Sequence, residues 1–184
     1  VRVQHVASIA ISGSTPQVLT PSDLYVYEFR ASSTGNRIAY IAAKPPGDDN
    51  WWMAKLYVQD ARAGAAPKLI VDPATVSGPL HGLQIALPRW SPDDARILFI
   101  GGLMSDRGAT GGDIYGVPAS GGTPVDLTEG AKVTPSWFTF LDAHSLLVNQ
   151  IASGKTQVTE YTLAGNRARQ TRLWFTAPGQ IGDG

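Results

Sequence analysis

Apolar and polar positions alternate along this chain in short bursts, with little of the i, i+3, i+4 spacing that marks a helix. Three segments share one pattern: an aromatic residue, a polar turn, then an apolar run. They are 26–41 (VYEFRASSTGNRIAYI), 87–100 (LPRWSPDDARILFI) and 134–150 (TPSWFTFLDAHSLLVNQ). The aromatics are Phe29, Trp90 and Trp137, and the apolar runs cover 38–41, 97–100 and 146–148. A second pair of strand signals follows each segment: KLYVQD before AGAAPKLIV, DIYGVP before ASGGTPVDLT, and TQVTEYT before LAGNRARQTRL. The chain also opens on such a pair, at 7–11 and then SGSTPQVLT. Short alternating runs bounded by Gly, Pro, Asp and Ser read as β-strands. The least clear stretch is 72–87, where Pro73, Gly78 and Pro79 argue against a long helix.

The repeating unit is therefore four short strands. Phe29 and Trp90 are 61 residues apart, and Trp90 and Trp137 are 47 apart. The shorter spacing is close to the roughly 40–50 residues of a four-stranded propeller blade; the longer one describes a blade with insertions. The pattern predicts an all-β fold, a partial β-propeller of four-stranded antiparallel blades, about three and a half of them. The predicted division is the end of a preceding blade at 1–24, blades at 25–80, 81–131 and 132–176, and the start of another blade or a tail at 177–184. A sheet that is apolar on both faces cannot bury them alone, so blades must stack face to face. Trp90 and Trp137, near the ends of inner strands, are expected in the inter-blade core. An open arc is expected to expose an apolar blade face at each end and to self-associate or dock a missing partner.

Composition narrows the function classes. The chain has 184 residues, 43% hydrophobic and 16% charged, with 20 Gly and 13 Pro, which is too apolar for disorder. Fifteen basic residues balance fifteen acidic ones, so nothing favours nucleic acid or an anionic membrane as partner. No segment approaches the roughly 18 apolar residues of a membrane span. Without cysteine there is neither disulfide nor thiolate chemistry, and the compartment stays open between cytoplasm and periplasm. The first residue is Val1 and the N-terminal stretch lacks the features of a signal peptide, so a processed product or a fragment is expected. No Gly-rich phosphate loop or metal-ligand spacing is present, and His5, His81 and His144 stand far apart; no cofactor is expected.

The run Trp90-Ser91-Pro92-Asp93-Asp94-Ala95-Arg96-Ile97-Leu98-Phe99 resembles the W-S-P-D-G-K-x-I-A-F repeat of TolB-like and prolyl oligopeptidase propellers. Asp94 stands where that repeat has Gly, and Asp tolerates the left-handed turn conformation better than most residues. Asp113-Ile114-Tyr115, Val117-Pro118 and Ser120-Gly121-Gly122 continue the same repeat, whose first and third copies are degenerate at the turn. Leu19-Thr20-Pro21 before Val26-Tyr27-Glu28-Phe29, the insertion Gly47-Asp48-Asp49-Asn50-Trp51-Trp52, and Gly101–Asp106 with Gly111-Gly112-Asp113 resemble the non-catalytic propeller of bacterial prolyl oligopeptidase-family serine peptidases. These are the dipeptidyl aminopeptidase or acylaminoacyl peptidase-like members. The resemblance implies a separate α/β-hydrolase domain carrying the Ser-Asp-His triad. The G-x-S-x-G elbow of such a domain is absent here, so this chain alone is expected to hydrolyse nothing. The remaining blades, that catalytic domain and, indirectly, a peptide substrate are the implied partners. The alternative is a stand-alone TolB-like propeller acting as a protein-interaction scaffold.

Candidate contacts fall on two long connections between second and third strands, 42–54 and 101–112. Long loops on one face of a rigid scaffold are where binding usually resides. Asp48 and Asp49 beside Trp51 and Trp52 place negative charge next to large rings, which suits a substrate amino group or an Arg from a docked domain. Asp106 and Arg107 offer an ion pair or a grip on a peptide carboxylate. The competing reading is an ordered surface loop, its tryptophans packed on the blade and its acids solvated.

Overall fold

Within each sheet the turn signals close hairpins, and the strands pair in chain order. The computed structural model describes residues 3–45, 47–106 and 110–179, with the backbone alone at Asp48. Strands β1 (Ala7–Ser8) and β2 (Gln17–Val18) form a two-stranded antiparallel sheet. The first four-stranded sheet holds β3 (Tyr25–Ala31), β4 (Arg37–Ala43), β5 (Lys55–Asp60) and β6 (Lys68–Val71). The second holds β7 (Gln84–Trp90), β8 (Arg96–Gly102), β9 (Asp113–Pro118) and β10 (Val125–Asp126), and the third β11 (Thr134–Phe140), β12 (Ser145–Ala152), β13 (Lys155–Ala164) and β14 (Arg167–Pro178). All pairings inside the three sheets are antiparallel between consecutive strands. Strands β3 and β11 both approach β7, so the first strands lie side by side along the inside of the arc. This is a partial β-propeller of stacked four-stranded blades that does not close.

Burial follows directly from stacking. In β4 and β8 every residue after the leading arginine is buried, because each strand sits between two packed layers. In β12 burial alternates instead. Leu146, Val148 and Gln150 are buried, while Leu147, Asn149 and Ile151 are only half-buried. The last sheet has a neighbour on one side alone, and the period-2 pattern of a one-sided strand reappears. One core lies between the first and second sheets around Ile41, Leu56, Trp90, Ile97 and Phe99. Another lies between the second and third around Leu98, Ile100, Phe138, Leu146 and Val148.

The expectation of an open apolar face at each end needs correction at the N-terminal end. There Val6, Leu19 and Leu24 pack on Val26, Ile38 and Tyr40 and cover the outer face of the first sheet. The Gln59 amide completes that layer, donating to the Leu19 carbonyl at 2.8 Å while its oxygen accepts from the Tyr40 hydroxyl at 2.8 Å.

The hairpin between first and second strands fixes the repeat register. Ser91 N–H donates to the Arg96 carbonyl, as Ser32 N–H does to Arg37 and Leu141 N–H to Ser145. Trp90 therefore matches Ala31 and Phe140 in the other blades, whereas the sequence alignment sets it beside Phe29 and Trp137. Trp90 stands immediately before its hairpin, whereas Phe29 and Trp137 stand further back along their strands, so aligning the repeats on their aromatics misses this register. Phe29 is accordingly exposed and Trp137 half-buried, and Phe138 takes the core position beside it. Trp90 is buried, with its indole N–H donating to the Arg30 carbonyl at 3.0 Å.

Candidate functional site

The chain leaves β4 through Lys44 and returns at β5 after two short 3-10 turns, Gly47–Asp49 and Trp51–Met53. Local chemistry shapes this loop. Asn50 Nδ2 donates to the Lys44 carbonyl at 2.8 Å, and Trp52 Nε1 donates to the Asp49 carbonyl at 3.0 Å. The Tyr27 hydroxyl donates to the Gly47 carbonyl. Gly47 lies against the Tyr25 ring so closely that a Cβ there would sit 1.9 Å from a ring carbon. The loop is thus stitched to the first strand and to itself.

Beneath it opens a cavity of about 380 Å3 between the loop and the connection from β6 to β7. Trp52 and Met53 form one wall, Pro73, Ala74 and Leu83 the other. The two wall residues of the loop are strongly exposed, at 55% and 45%. Inside, Lys55 Nζ donates to Asp72 Oδ2 at 2.7 Å, with Asp72 11% exposed. That hydrogen bond pushes the Lys55 ammonium pKa up, against partial desolvation. Asp72 also accepts the Ala74 N–H through its other oxygen at 3.1 Å, so its carboxylate is held by two partners. An apolar slot with an ammonium inside it suits a ligand bearing one apolar group and one acceptor.

The second long connection, between β8 and β9, closes on two glycines. A Cβ on Gly102 would fall 2.1 Å from the Gly111 carbonyl oxygen, and one on Gly112 would fall 2.1 Å from the Gly101 oxygen. Met104 N–H donates to Gln84 Oε1 at 2.9 Å, anchoring this loop to β7. Trp51 and Met104 border a second, much smaller cavity with Tyr27, Glu28 and Ile85.

The structure splits the expected cluster. Trp52 borders the larger cavity and Trp51 the smaller one toward the inner strands. Asp49 is exposed and contributes its main-chain carbonyl to the loop; the Asp48 side chain lies outside the described residues. Asp106 is exposed at the far loop, and Arg107 lies outside the described residues. Pro92 and Asp93 sit in the turn of the second blade, where Asp93 Oδ1 accepts the Ala95 N–H at 3.1 Å. Sequence reasoning missed the Lys55–Asp72 pair, because the two individually unremarkable residues are 17 positions apart with a strand between them. It also missed Asp94 as a tie between blades: its carboxylate accepts the Ser33 N–H at 2.7 Å and the Thr34 hydroxyl at 3.2 Å from the preceding blade. Among the described residues no group of three or more His, Asp or Glu side chains is placed to hold a metal. No helix among them is long and apolar enough to cross a membrane.

An open arc of antiparallel blades with long loops on one face defines a propeller segment, and comparison with solved structures agrees. An oligogalacturonate lyase in complex with manganese superposes with a TM-score of 0.70 at 12% identity, covering 93% of this chain and 48% of that one. A putative TolB from Agrobacterium tumefaciens gives 0.60 at 16% identity, covering 89% and 53%. A puromycin-hydrolyzing peptidase from Mycobacterium tuberculosis gives 0.58 at 19% identity, covering 84% and 23%. The chain thus spans about half or less of each of these three proteins, and identities this low speak for fold alone. No family model and no curated protein matches the sequence.

Proposed function

We propose that this chain is the non-catalytic propeller segment of a serine-type peptide hydrolase, gating and orienting peptides for a separate α/β-hydrolase domain. The observation that carries the reading is the loop face. Two consecutive blades of a W-S-P-D-type repeat place long, internally stitched loops on the same face, and one of them roofs a cavity with apolar walls and the Lys55–Asp72 pair inside. A rigid scaffold with one elaborated face selects by exclusion and orientation rather than by chemistry. Trp52 and Met53 would meet an apolar peptide side chain or the docked domain, and Lys55 a peptide carbonyl. Similarity to solved peptidases supports the reading.

The second reading is a stand-alone TolB-like scaffold whose same face binds another protein; similarity to TolB structures favours it. Chromogenic aminoacyl and dipeptidyl substrates, offered to this chain and to the full-length gene product, separate the two. Hydrolysis by the longer product alone is the expected result. Activity in neither transfers the assignment to the interaction scaffold, and activity in the isolated chain overturns both.

A further inference from the structure

The inner strands carry charged groups that the loop-face cavity leaves unused. Arg30 near the end of β3 and Arg89 near the end of β7 line a groove of about 430 Å3, together with Trp137 and Thr139 of β11 and the turn residues Ser33 and Ser91. Three successive blades therefore contribute to it. Arg30 is exposed and Arg89 half-buried. Each donates one guanidinium N–H to a main-chain carbonyl of its own strand, Phe29 at 2.9 Å and Pro88 at 3.1 Å. A guanidinium has five such donors, so most of each fork remains for another acceptor. Among the described residues neither arginine makes an ion pair.

The nearby acid is Glu28, whose Oε2 accepts the Leu87 N–H at 3.0 Å. Leu87 holds a left-handed φ of 56°, at a bulge in β7, so this carboxylate is occupied in fixing a strained turn of backbone. Burial pushes the Glu28 pKa up, against that hydrogen bond and the charges of Arg89 and Arg30. Burial and then the neighbouring Arg30 charge bring Arg89 down to about 10, with Glu28 opposing. Two guanidiniums beside one committed carboxylate leave one uncompensated positive charge, and a bound anion would relieve the repulsion. A single excess charge matches a monoanion, and the planar forks match two oxygens on one carbon.

The geometry points to a carboxylate-binding site on the inner face of the arc, held by Arg30 and Arg89 from neighbouring blades, with the Trp137 indole packed against the carbon bearing the carboxylate. This site is separate from the loop-face cavity and stands whether or not the peptidase reading holds.

Arginine Nε–H and tryptophan indole resonances of the 15N-labelled chain report on it directly. The probes are acetyl-dialanine with a free C-terminus, its C-terminal amide, N-acetyl-aspartate α-amide and inorganic phosphate, at constant ionic strength. Saturable shifts at Arg30, Arg89 and Trp137 are expected with the carboxylates and none with the neutral amide. Arg30→Gln, at an exposed position that leaves the core intact, should weaken binding about tenfold or more, and Arg89→Gln likewise. Glu28→Gln keeps an acceptor for Leu87 while removing the competing charge, and should tighten it. A response to the free C-terminus alone assigns the site to a peptide terminus; an equal response to the aspartate carboxylate assigns it to carboxylates at large. Tighter binding of phosphate, equal shifts with the amide, or unchanged affinity in Arg30→Gln would overturn the proposal.

Discussion

At Asp94 one residue performs two tasks that pull on its chemistry differently. Its φ of 55° is the left-handed conformation that Gly35 supplies, at 73°, in the matching turn of the preceding blade. Its carboxylate meanwhile ties that blade through Ser33 and Thr34, and its carbonyl accepts Arg37 Nη2 at 2.8 Å, while the Arg37 guanidinium lies 4.7 Å from the centre of the Trp90 ring. Asp94→Gly should keep the turn and lose the side-chain tie, lowering stability by about 1–3 kcal/mol in urea denaturation, with Asp94→Asn losing less. Burial raises the Asp94 pKa, but the bonds from Ser33 and Thr34 outweigh it and hold the carboxyl below its ordinary 3.8. A depressed folded-state pKa stabilises above the unfolded value and ceases to do so as pH falls through the folded one. The gap between wild type and Asp94→Gly should therefore be full at neutral pH and shrink below pH of about 4. Asp126 runs the other way: burial first, then the charge of Asp113, lifts its pKa above 3.8. Its contribution is present below 3.8 and lost as pH rises through the folded value, so the ionised form is a burden at neutral pH. Asp126→Asn still accepts the Thr128 N–H, which lies at 2.9 Å, and should raise the melting temperature by about 2 °C at pH 7, with no gain in acid.

At the scale of elements, the loops depend on close backbone approach rather than on side-chain packing. Gly102→Ala would drive its Cβ to within 2.1 Å of the Gly111 oxygen, so the neck of the 103–112 loop must open. We expect a loss of about 1–3 kcal/mol and faster amide exchange in the neck. Gly111→Ala, whose Cβ would meet only Thr134 Cγ2 at 3.1 Å, should be much milder; equal effects from both would refute the close-approach account. The strands themselves were legible, since each alternating run bounded by turn formers became a strand, and 72–83 became turns rather than helix, as its prolines required. What escaped was register. Aligning the repeats on their aromatics sets Phe29 and Trp137 beside Trp90, but the three rings lie at different distances from the turn, and the hairpins match Trp90 to Ala31 and Phe140. The candidate site was legible as two long loops on one face, but not as a cavity. The Lys55–Asp72 pair and the Arg30–Arg89 groove are assembled by pairing and stacking across strands, and carry no local sequence signature.

Over the whole molecule the two ends of the arc differ, and the difference decides how the isolated chain should behave. The first sheet is covered on its outer face by Val6, Leu19 and Leu24. The last sheet has no such cover among the described residues: Leu147, Ile151 and Val158 remain half-buried on the face turned away from the core, with Phe175 49% exposed opposite Val158 on β14. Polar Asn149 and Glu160 interrupt this surface, so it is less apolar than the cores between blades, yet continuous enough to seek a partner. In a closed propeller the next blade would lie there, and a second copy of the chain is the substitute at hand in a pure solution. The isolated chain is therefore expected to associate through the third sheet. In sedimentation velocity its mass should rise above 19.5 kDa with concentration and fall back on dilution. Val158→Arg, at the centre of that face, should restore the monomer without unfolding it, because the buried side of β13 is carried by Thr159, Tyr161 and Leu163. An equivalent charge at exposed Val18 of β2, on the covered end, should leave association unchanged. A monomer at every concentration would show that the polar residues on the third sheet suffice to solvate it, and association that persists in Val158→Arg would place the contact elsewhere on the arc.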